Sequence, residues 1–339
     1  MTKEVATQIE KKQANKFFID IDKLVSKAQE AYSKKENGLA KQLSSGASLT
    51  TFVDDDDYVL WTGGDHWKVL TGLKGIPFGR MVQISGKADS GKSTHAMAFM
   101  KYAQDQECLV ILWDSERKFQ ASRFKKKIGG VPEKLVVVQN NNIKEGSKAV
   151  AHFVNAAKEM NPDIKILIVW DSVGATLNST EDKEDTENYS QQPGVSAKEV
   201  SEAIHKFQKL QNKFMNKETG KNSIALLTIN QTYASIGMGA PTQIEKGGGT
   251  LYYLSSVIIQ LSRKQDLTRI KAGEKYKYGI VSKAKVKKNH LFEGDESIYQ
   301  IDLVISADGV HLAKDVKNFD DIKGWEGKDD DDDDENEED

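Results

Sequence analysis

The stretch MVQISGKADSGKSTHAMAFM, residues 81–100, decides the fold class. It contains the pattern Gly86-x-x-x-x-Gly91-Lys92-Ser93, with an apolar run before it and an apolar-periodic segment after it. The glycines let the backbone bend so that successive N–H groups face one anion, and a helix that begins there directs its positive N-terminus to the same place. The pattern predicts a phosphate-binding loop between a strand and a helix, with a chance match in a turn as the alternative.

Each position of this loop has an expected role. The Lys92 ammonium is expected to reach the β- and γ-phosphates of a nucleoside triphosphate, and the Ser93 hydroxyl to ligate Mg²⁺. ATP and Mg²⁺ are therefore the expected cofactors. The predicted nucleotide contacts in the loop are Gly86, Lys87, Ala88, Asp89, Ser90, Gly91, Lys92, Ser93 and Thr94.

Two further apolar runs end in acidic residues. LIVWDS supplies Asp171, which is expected to hold the metal through water. LWDSE supplies Asp114 and Glu116, and a carboxylate within hydrogen-bond reach of a water can activate it for hydrolysis. Spacing alone does not separate Glu116 or Asp114 from an ordinary solvent-exposed acid at the end of a strand.

Short, continuous apolar runs alternate with helical stretches through most of the chain, as expected for strands that are covered on both faces. This alternation predicts an α/β core with a mostly parallel sheet flanked by helices, followed by a β-rich end. The predicted helices are 93–105, 145–160 and 196–217. The predicted strands are Met81–Ser85, Cys108–Asp114, Lys134–Gln139, Lys165–Asp171, Ser223–Asn230 and Ser256–Ser262, with Tyr276–Lys288 and Ser297–Ser306 in the β-rich end.

Three regions are expected. Residues 1–58 are a helical arm and linker, because apolar residues recur at spacings of three and four within 7–45. Residues 59–318 form the core, and residues 319–339 form an acidic, disordered tail. The absence of an apolar run of about 18 residues, and of an apolar stretch at the N-terminus, predicts neither a membrane span nor a secretory signal. The single cysteine, Cys108, fits a reducing, cytoplasmic compartment.

The charge is distributed unevenly along the chain. Residues 329–339 hold 10 of the 51 acidic residues, which leaves 48 basic against 41 acidic residues elsewhere. A basic body with an acidic tail is typical of proteins that bind polyanions. The alternative is a solvated tail that only aids solubility.

The motifs together resemble those of the RecA recombinase family, particularly its phage UvsX-like branch. GIPFGRMVQISGKADSGKST, LWDSE, LIVWDSVGA, LLTINQTY and GGGTLYYLSSVIIQLSRK follow the family's order between residues 75 and 264. The resemblance implies a RecA-type ATPase that forms a helical filament on single-stranded DNA and exchanges strands with a homologous duplex. It also implies an N-terminal arm that contacts the neighbouring protomer, loader and single-strand-binding proteins as partners, and a cytoplasmic location, in the host bacterium if the protein is viral. The alternatives are a hexameric RecA-fold helicase and a nucleotide-binding protein that coats single strands without exchanging them.

The resemblance also assigns roles within the nucleotide site. Glu116 resembles the glutamate that activates water, and Gln231 the residue that senses the γ-phosphate. Phe124 resembles the aromatic residue that stacks on adenine, with ordinary helix core as an equal alternative. Lys288 and His290 match two lysines that reach the ATP of the neighbouring subunit, and a partly charged histidine weakens that contribution.

Two segments resemble the DNA-binding loops of the family, 178–195 and 232–246. The second has the composition of a mobile loop that a ligand orders, and Ile236 is expected to wedge between bases of a single strand. Its alternative is a loop that covers a core edge. The implied DNA contacts are Lys198, Lys206, Thr232, Tyr233, Ile236, Gly237, Met238, Gly247, Gly248 and Gly249.

Overall fold

The structure is a computed structural model, and it describes most of the predicted core. The structure does not describe four predicted features in full. These are the helix 7–45 apart from Lys23, Ser26 and Lys27, most of the first DNA loop, the tip of the second loop with Ile236, Gly237 and Met238, and the acidic tail. The chain divides into two units, of which Met1–Phe52 with Met215–Lys221 is almost entirely undescribed, and Val53–Phe214 with Asn222–Asp339 is considered below. The described residues are 59–61, 65–179, 193–216, 221–234, 243–245, 247–271, 273–291 and 300–316, with Lys23, Ser26 and Lys27.

The described part of the larger unit contains two sheets. Strands β1 (Val59–Trp61) and β2 (Gly75–Pro77) pair antiparallel and flank helix α1 (Asp65–Thr71). The other sheet has ten strands among the described residues. They are β3 (Met81–Gly86), β4 (Leu109–Asp114), β5 (Leu135–Val138), β6 (Ile166–Asp171), β7 (Ile224–Ala234), β8 (Gln243–Glu245), β9 (Val257–Lys271), β10 (Glu274–Asn289), β11 (Gln300–Ser306) and β12 (Gly309–Leu312).

The large sheet is mostly parallel. Its spatial order is β12-β11-β10-β9-β3-β7-β6-β4-β5, and β8 pairs with the end of β7. The strands from β9 to β5 in that order run parallel, whereas β10, β11 and β12 add an antiparallel edge. The predicted α/β core with a largely parallel sheet is therefore confirmed. Because β3 lies between β7 and β9, the loop that follows it emerges in the middle of the carboxyl edge, where open α/β sheets bind ligands.

Four further helices of seven or more residues accompany the sheet in the described residues: α2 (Lys92–Asp105), α3 (Ile143–Met160), α4 (Pro193–Lys213) and α5 (Gly248–Leu254). Helix α3 begins two residues earlier than predicted because the Asn142 side chain caps it, accepting hydrogen bonds from Lys144 N and Glu145 N at 2.9 and 3.1 Å. No helix in the described part of the chain is long and apolar enough to cross a bilayer.

Each face of the large sheet has its own buried core. On one face, Val82 and Ile84 of β3 belong to the same cluster as Phe99 of α2. On the other face, Trp113 and Trp170 stack with their ring centroids 4.2 Å apart. Helix α3 approaches this pair closely, since a Cβ atom on Gly146 would lie 2.3 Å from the Trp113 ring. The two faces fix the ends of β3, β4, β6 and β7 relative to one another.

Two buried histidines pack together, His95 in the first turn of α2 and His66 in α1. His95 is fully buried, and its ring centroid lies 5.2 Å from that of His66 and 5.0 Å from that of Phe99. Neither ring nitrogen of His95 has a hydrogen-bond partner among the described residues. Burial, and then the neighbouring His66, hold the pKa of His95 well below its ordinary value. His95 is therefore neutral in the folded protein.

Cys108 lies just before β4 and is buried in the same core as α2. Burial raises the pKa of its thiol to about 11, against the opposing effect of Lys165. The thiol is therefore protonated at neutral pH, and it is shielded by the surrounding side chains.

Candidate nucleotide site and its connection to the predicted DNA loop

The turn between β3 and α2 has the shape of a phosphate cradle. Gly91 has a φ of 93° and immediately precedes α2. A Cβ atom on Gly91 would lie 2.4 Å from Ile305 Cδ1, and one on Gly86 would lie 2.4 Å from the Leu261 carbonyl oxygen. Both positions thus require glycine, for conformation and for close approach. Asp89, between them, also adopts the left-handed conformation, with a φ of 59°.

Lys92 lies folded into this cradle. Its side chain is almost fully buried, and its Nζ donates to the Lys87 carbonyl oxygen at 2.6 Å. The Ser90 hydroxyl donates to the same oxygen at 2.9 Å. Burial lowers the pKa of Lys92, while the carboxylates of Asp171 and Glu116 act in the opposite direction. The arrangement provides a cation, a curved backbone and a helix N-terminus in one place, which is the donor set that a triphosphate needs.

Ser93 and Asp171 form a pair of oxygen donors beside the cradle. The two side chains are hydrogen bonded to each other. Burial raises the pKa of Asp171 to about 6, the carboxylates of Glu116 and Asp114 act in the same direction, and the hydrogen bond from Ser93 opposes them. A hydroxyl group in the first turn of α2 and a carboxyl group at the end of β6 are the hard oxygen ligands that Mg²⁺ prefers. The residues present therefore fit a nucleotide-bound magnesium ion.

Glu116 follows β4 and reaches the ends of β6 and β7. Its Oε1 accepts hydrogen bonds from Ser172 Oγ at 2.6 Å and from Gln231 Nε2 at 3.0 Å, and its other oxygen pairs with Lys118. Burial raises the pKa of Glu116, but the hydrogen bonds from Lys118, Ser172 and Gln231 outweigh it, so the pKa lies below its ordinary value. Glu116 is charged at neutral pH and can accept a proton from a water.

Gln231 connects this carboxylate to the predicted DNA loop. Its Oε1 accepts a hydrogen bond from the Tyr233 hydroxyl at 3.3 Å, while its Nε2 donates to Glu116. Tyr233 lies next to the last residue of β7, and the predicted loop continues beyond that strand. Burial and then the Glu116 charge raise the pKa of Tyr233. A continuous path of three side chains thus joins the nucleotide site to the base of the loop.

A cleft of about 940 Å³ opens beside the cradle. Phe119, Arg123, Tyr278 and Ile305 are among the residues that line it. The Arg123 guanidinium donates to Thr94 Oγ1 at 2.8 Å, and burial lowers its pKa. This half-buried cation at the cleft is a functional candidate that the sequence reasoning missed.

Phe124, the predicted adenine-stacking residue, lies in the core instead. It is fully buried, its ring packs 5.6 Å from that of Phe119, and a Cβ atom on Gly130 would lie 2.2 Å from its ring. Its ring faces are covered on both sides by protein and are closed to a bound base. The structure therefore favours the alternative of ordinary core for Phe124, and it places the neighbouring Arg123 at the cleft.

Asp114 positions the segment after β4. Its two carboxylate oxygens accept hydrogen bonds from the backbone N–H groups of Lys118 and Phe119 at 3.1 and 2.9 Å. These bonds fix the turn that carries Glu116 on one side and the cleft wall on the other. Asp114 also lines the cleft, and its contact with a nucleotide stays a prediction.

Lys288 and His290, which are predicted to reach the ATP of a neighbouring subunit, lie away from the cradle of their own chain. Lys288 Nζ donates to the carbonyl oxygens of Tyr252 and Tyr253, both at 2.8 Å, at the C-terminal end of α5. The ammonium also lies 5.1 Å from the centroid of the Tyr252 ring, and burial lowers its pKa. The side chain of His290 is exposed. A contact of either residue with a neighbouring subunit remains a prediction.

The predicted DNA contacts are only partly brought together. Lys198 is exposed on α4, whereas Lys206 is half-buried and donates to Ser147 Oγ at 2.7 Å. Thr232 and Tyr233 lie near the end of β7, where β8 pairs with them. The glycine run lies at the start of α5, where Gly247 is the N-cap and Gly248 and Gly249 are the first helical residues. Gly247 and Gly248 have positive φ values, of 104° and 67°.

Sequence reasoning missed the residues that hold Glu116 in place. Ser172 directly follows Asp171, and its hydroxyl reaches Glu116 across the gap between β6 and β4. Ser115 donates to the Ser172 carbonyl oxygen at 2.9 Å and accepts from the Ser172 N–H at 3.0 Å. The small hydroxyl residues after the strand-end acids are the signal that could have predicted this link.

The fold and site define a phosphate-loop protein of the α/β class, with the loop at the carboxyl edge of its sheet. The family model for the RecA N-terminal domain matches residues 44–306, and the chain belongs to the RecA family. It is 30% identical over 271 residues to Protein RecA of Ureaplasma parvum serovar 3, covering 76% of this chain and 75% of that protein. It is 28% identical over 232 residues to Protein RecA of Aquifex aeolicus, covering 68% and 61% respectively. Protein RecA of Wolinella succinogenes is 30% identical over 231 residues, covering 67% and 60%.

Proposed function

We propose that this protein is a DNA-dependent ATPase that forms a helical filament on single-stranded DNA and promotes homologous pairing and strand exchange. The observation that carries the proposal is the path of hydrogen bonds from Glu116 through Gln231 to Tyr233. It links a triphosphate cradle to the base of the segment that resembles a DNA-binding loop. Membership of the RecA family supports the same activity.

The phosphate-loop residues hold and polarise ATP. The Lys92 ammonium leaves the Lys87 carbonyl oxygen for the β- and γ-phosphates, because a charged phosphate oxygen is the stronger acceptor. Ser93 would hold Mg²⁺ directly and Asp171 would hold it through water, and the ion would supply positive charge beside the phosphate oxygens. Arg123, next to Thr94, contacts the nucleotide from the cleft side.

Glu116 acts as the base for the attacking water. Its lowered pKa keeps it charged, and its hydrogen bonds to Ser172 and Gln231 orient the carboxylate. The Gln231 amide can donate either to Glu116 or to a phosphate oxygen. A change of partner by Gln231 would move the end of β7 and the loop beyond it, so ATP raises DNA affinity and hydrolysis lowers it. A ligand shifts such an equilibrium only by preferring one of the two states.

Assembly completes the site in this proposal. Lys288 and His290 reach the ATP of the neighbouring protomer, where a cation stabilises the charge developing in phosphoryl transfer. The N-terminal arm contacts the adjacent core, and Ile236 separates bases of the bound strand. Recognition of sequence comes from base pairing, so the protein needs no code for reading bases. The same proposal includes loader and single-strand-binding proteins as partners and a cytoplasmic location. It also places the chain in the phage UvsX-like branch of the family.

A strand-exchange assay tests the function, run with ATP and with a non-hydrolysable analogue. The expected result is exchange with ATP, a DNA-stimulated rate of ATP hydrolysis, and helical filaments on single strands in electron micrographs. Closed rings would favour a helicase, and an ATPase rate that ignores DNA would favour a coating protein. Equal affinity for single strands in the nucleotide-free, ADP and ATP states would overturn the proposal.

A further inference from the structure

The predicted DNA loop is carried by a β-hairpin with two legs. Strand β8 returns antiparallel beside the end of β7, with Thr232 opposite Glu245 and Ala234 opposite Gln243. The first leg contains Gln231, whose amide meets Glu116. The second leg ends at Glu245, which is partly exposed.

The second leg is attached directly to the strand that feeds the phosphate loop. Gln83 Nε2 donates to Glu245 Oε2, joining residues 162 positions apart in the sequence. Gln83 is fully buried in β3 and lies three residues before Gly86, where the cradle begins. The loop is thus tied to the nucleotide site through both legs, at Glu116 and at Gln83.

The positions of β3 and β7 around Gln83 are polar, which is unusual for strands at the centre of a covered sheet. A parallel strand buried on both faces is expected to be apolar throughout. On β3 the residues Val82 and Ile84 meet this expectation, but Gln83 and Ser85 alternate with them. In register beside them on β7 lie Thr228 and Asn230, followed by Thr232, all of them buried.

Some of these polar atoms do not contribute to the free energy of unfolding. Gln83 Oε1, Ser85 Oγ and Thr232 Oγ1 are buried and have no hydrogen-bond partner among the described residues. Burying such atoms unpaired destabilises the fold relative to apolar side chains of the same size. Polar residues at these positions are therefore explained better by a role in which contacts change than by one of static support.

We propose that Gln83 and Glu245 are positioning residues that couple the phosphate loop to the second leg of the DNA-binding hairpin. When the cradle closes on a phosphate chain, the end of β3 carries Gln83 with it, and Gln83 draws Glu245 and the second leg along. Both strands that carry the loop then move with the nucleotide site. An attachment at Gln231 alone would move only the first leg. This inference rests on the proposed function, because it presupposes that nucleotide binding alters DNA affinity.

The test compares the affinity for single-stranded DNA in the ADP and ATP states across matched variants. Gln83→Leu and Glu245→Ala each remove the contact, and Glu245 is itself partly exposed, so its truncation leaves the core intact. Thr228→Val is the matched control, since Thr228 is equally buried on the neighbouring strand and its hydroxyl donates to Val82 O, not to Glu245. The double variant Gln83→Glu with Glu245→Gln exchanges donor and acceptor and is the rescue.

The expected result is a ratio of ADP to ATP dissociation constants for DNA that falls by about fivefold or more in Gln83→Leu and in Glu245→Ala. The ratio stays at the wild-type value in Thr228→Val and returns toward it in the exchanged pair. The KM for ATP without DNA remains unchanged in all of them, which a collapse of the nucleotide site would not allow. Thermal unfolding by circular dichroism identifies any variant that does not fold.

Two failures are distinguishable. A wild-type protein whose DNA affinity is the same with ADP and ATP removes the proposed function itself. A wild-type protein with a clear ratio, together with a Glu245→Ala variant that keeps that ratio, removes only the role of the Gln83–Glu245 contact. Failure of the exchanged pair to restore a ratio lost in Glu245→Ala would likewise contradict a coupling through this hydrogen bond.

Discussion

The Gln231 side chain donates a hydrogen bond to Glu116 across 3.0 Å, although the two residues are 115 positions apart in the sequence. The contact exists because β4, β6 and β7 are neighbours in the sheet and end at the same edge. It places the group that would sense a phosphate against the group that would activate a water.

Replacing Glu116 by glutamine should slow ATP hydrolysis by at least about 100-fold, because an amide cannot accept the proton of the attacking water. ATP binding should persist, since Lys92 and Ser93 are untouched. The measurement is single-turnover hydrolysis beside equilibrium binding of a fluorescent ATP analogue. Hydrolysis at the wild-type rate would show that another group is the base.

Replacing Lys92 by alanine should abolish hydrolysis and leave the fold intact. The ammonium donates a hydrogen bond to the Lys87 carbonyl oxygen of its own loop, so its loss removes that buried bond together with a charge whose burial is itself unfavourable. Steady-state ATPase and circular dichroism measure the two effects. Lys101→Ala, on the same helix but paired with Asp105 away from the loop, is the control and should retain activity.

Arg123→Ala and Phe124→Ala should have opposite signatures. Arg123 lines the cleft, so its removal should raise the KM for ATP and leave unfolding nearly unchanged. Phe124 is core, so its removal should cost about 3–5 kcal/mol of the free energy of unfolding. Denaturant titrations and ATP titrations on both variants decide the matter. A Phe124→Ala protein of normal stability with a lost ATP affinity would reinstate the stacking role.

Acidification should destabilise the fold partly through His95. The pKa of His95 is lowered in the folded state, so below the unfolded value of about 6.5 the unfolded chain binds a proton that the folded chain does not. The stability present above that pH is lost as the pH falls, at up to about 1.4 kcal/mol per pH unit. The difference in unfolding free energy between wild type and His95→Leu, measured from pH 7.5 to 5.5, isolates this residue. A pH-independent difference would mean that His95 does not titrate in this way.

Deleting residues 329–339 should raise the affinity for single-stranded DNA and lessen the requirement for Mg²⁺, because ten acidic residues no longer compete for the basic surface. Binding titrations at several salt concentrations measure the effect. A variant in which those acids become asparagine or glutamine controls for length. Identical salt curves for the deletion and the full chain would exclude the competition.

The core of the fold follows from the sequence because its strands are doubly covered. Continuous apolar runs locate β3, β4 and β6, and the glycine pattern locates the phosphate loop between β3 and α2. The same reasoning ends β9 at Ser262, yet that strand continues to Lys271 alongside β10. This extension is exposed and rich in charged residues, so it lacks the apolar pattern that marks a covered strand.

The details of the site depend on geometry that a linear pattern does not contain. Arg123 and Phe124 are adjacent, and a one-residue change in helical phase decides which side chain faces the cleft. The chain adopts a wider, π-helical turn from Phe124 to Ile128, which periodicity of the ordinary helix does not predict. The contact between Gln83 and Glu245 requires the spatial order of the strands, because the residues lie in segments far apart in the chain.

The burial of Cys108 makes the chain convenient for spectroscopy. Because its thiol is protonated and enclosed in the core, we expect this cysteine to react slowly with maleimide or iodoacetamide dyes under native conditions. A second cysteine placed in the hairpin tip can therefore be labelled selectively with the natural residue left in place. Energy transfer or anisotropy from that single dye would follow the loop in real time as nucleotide and DNA are added.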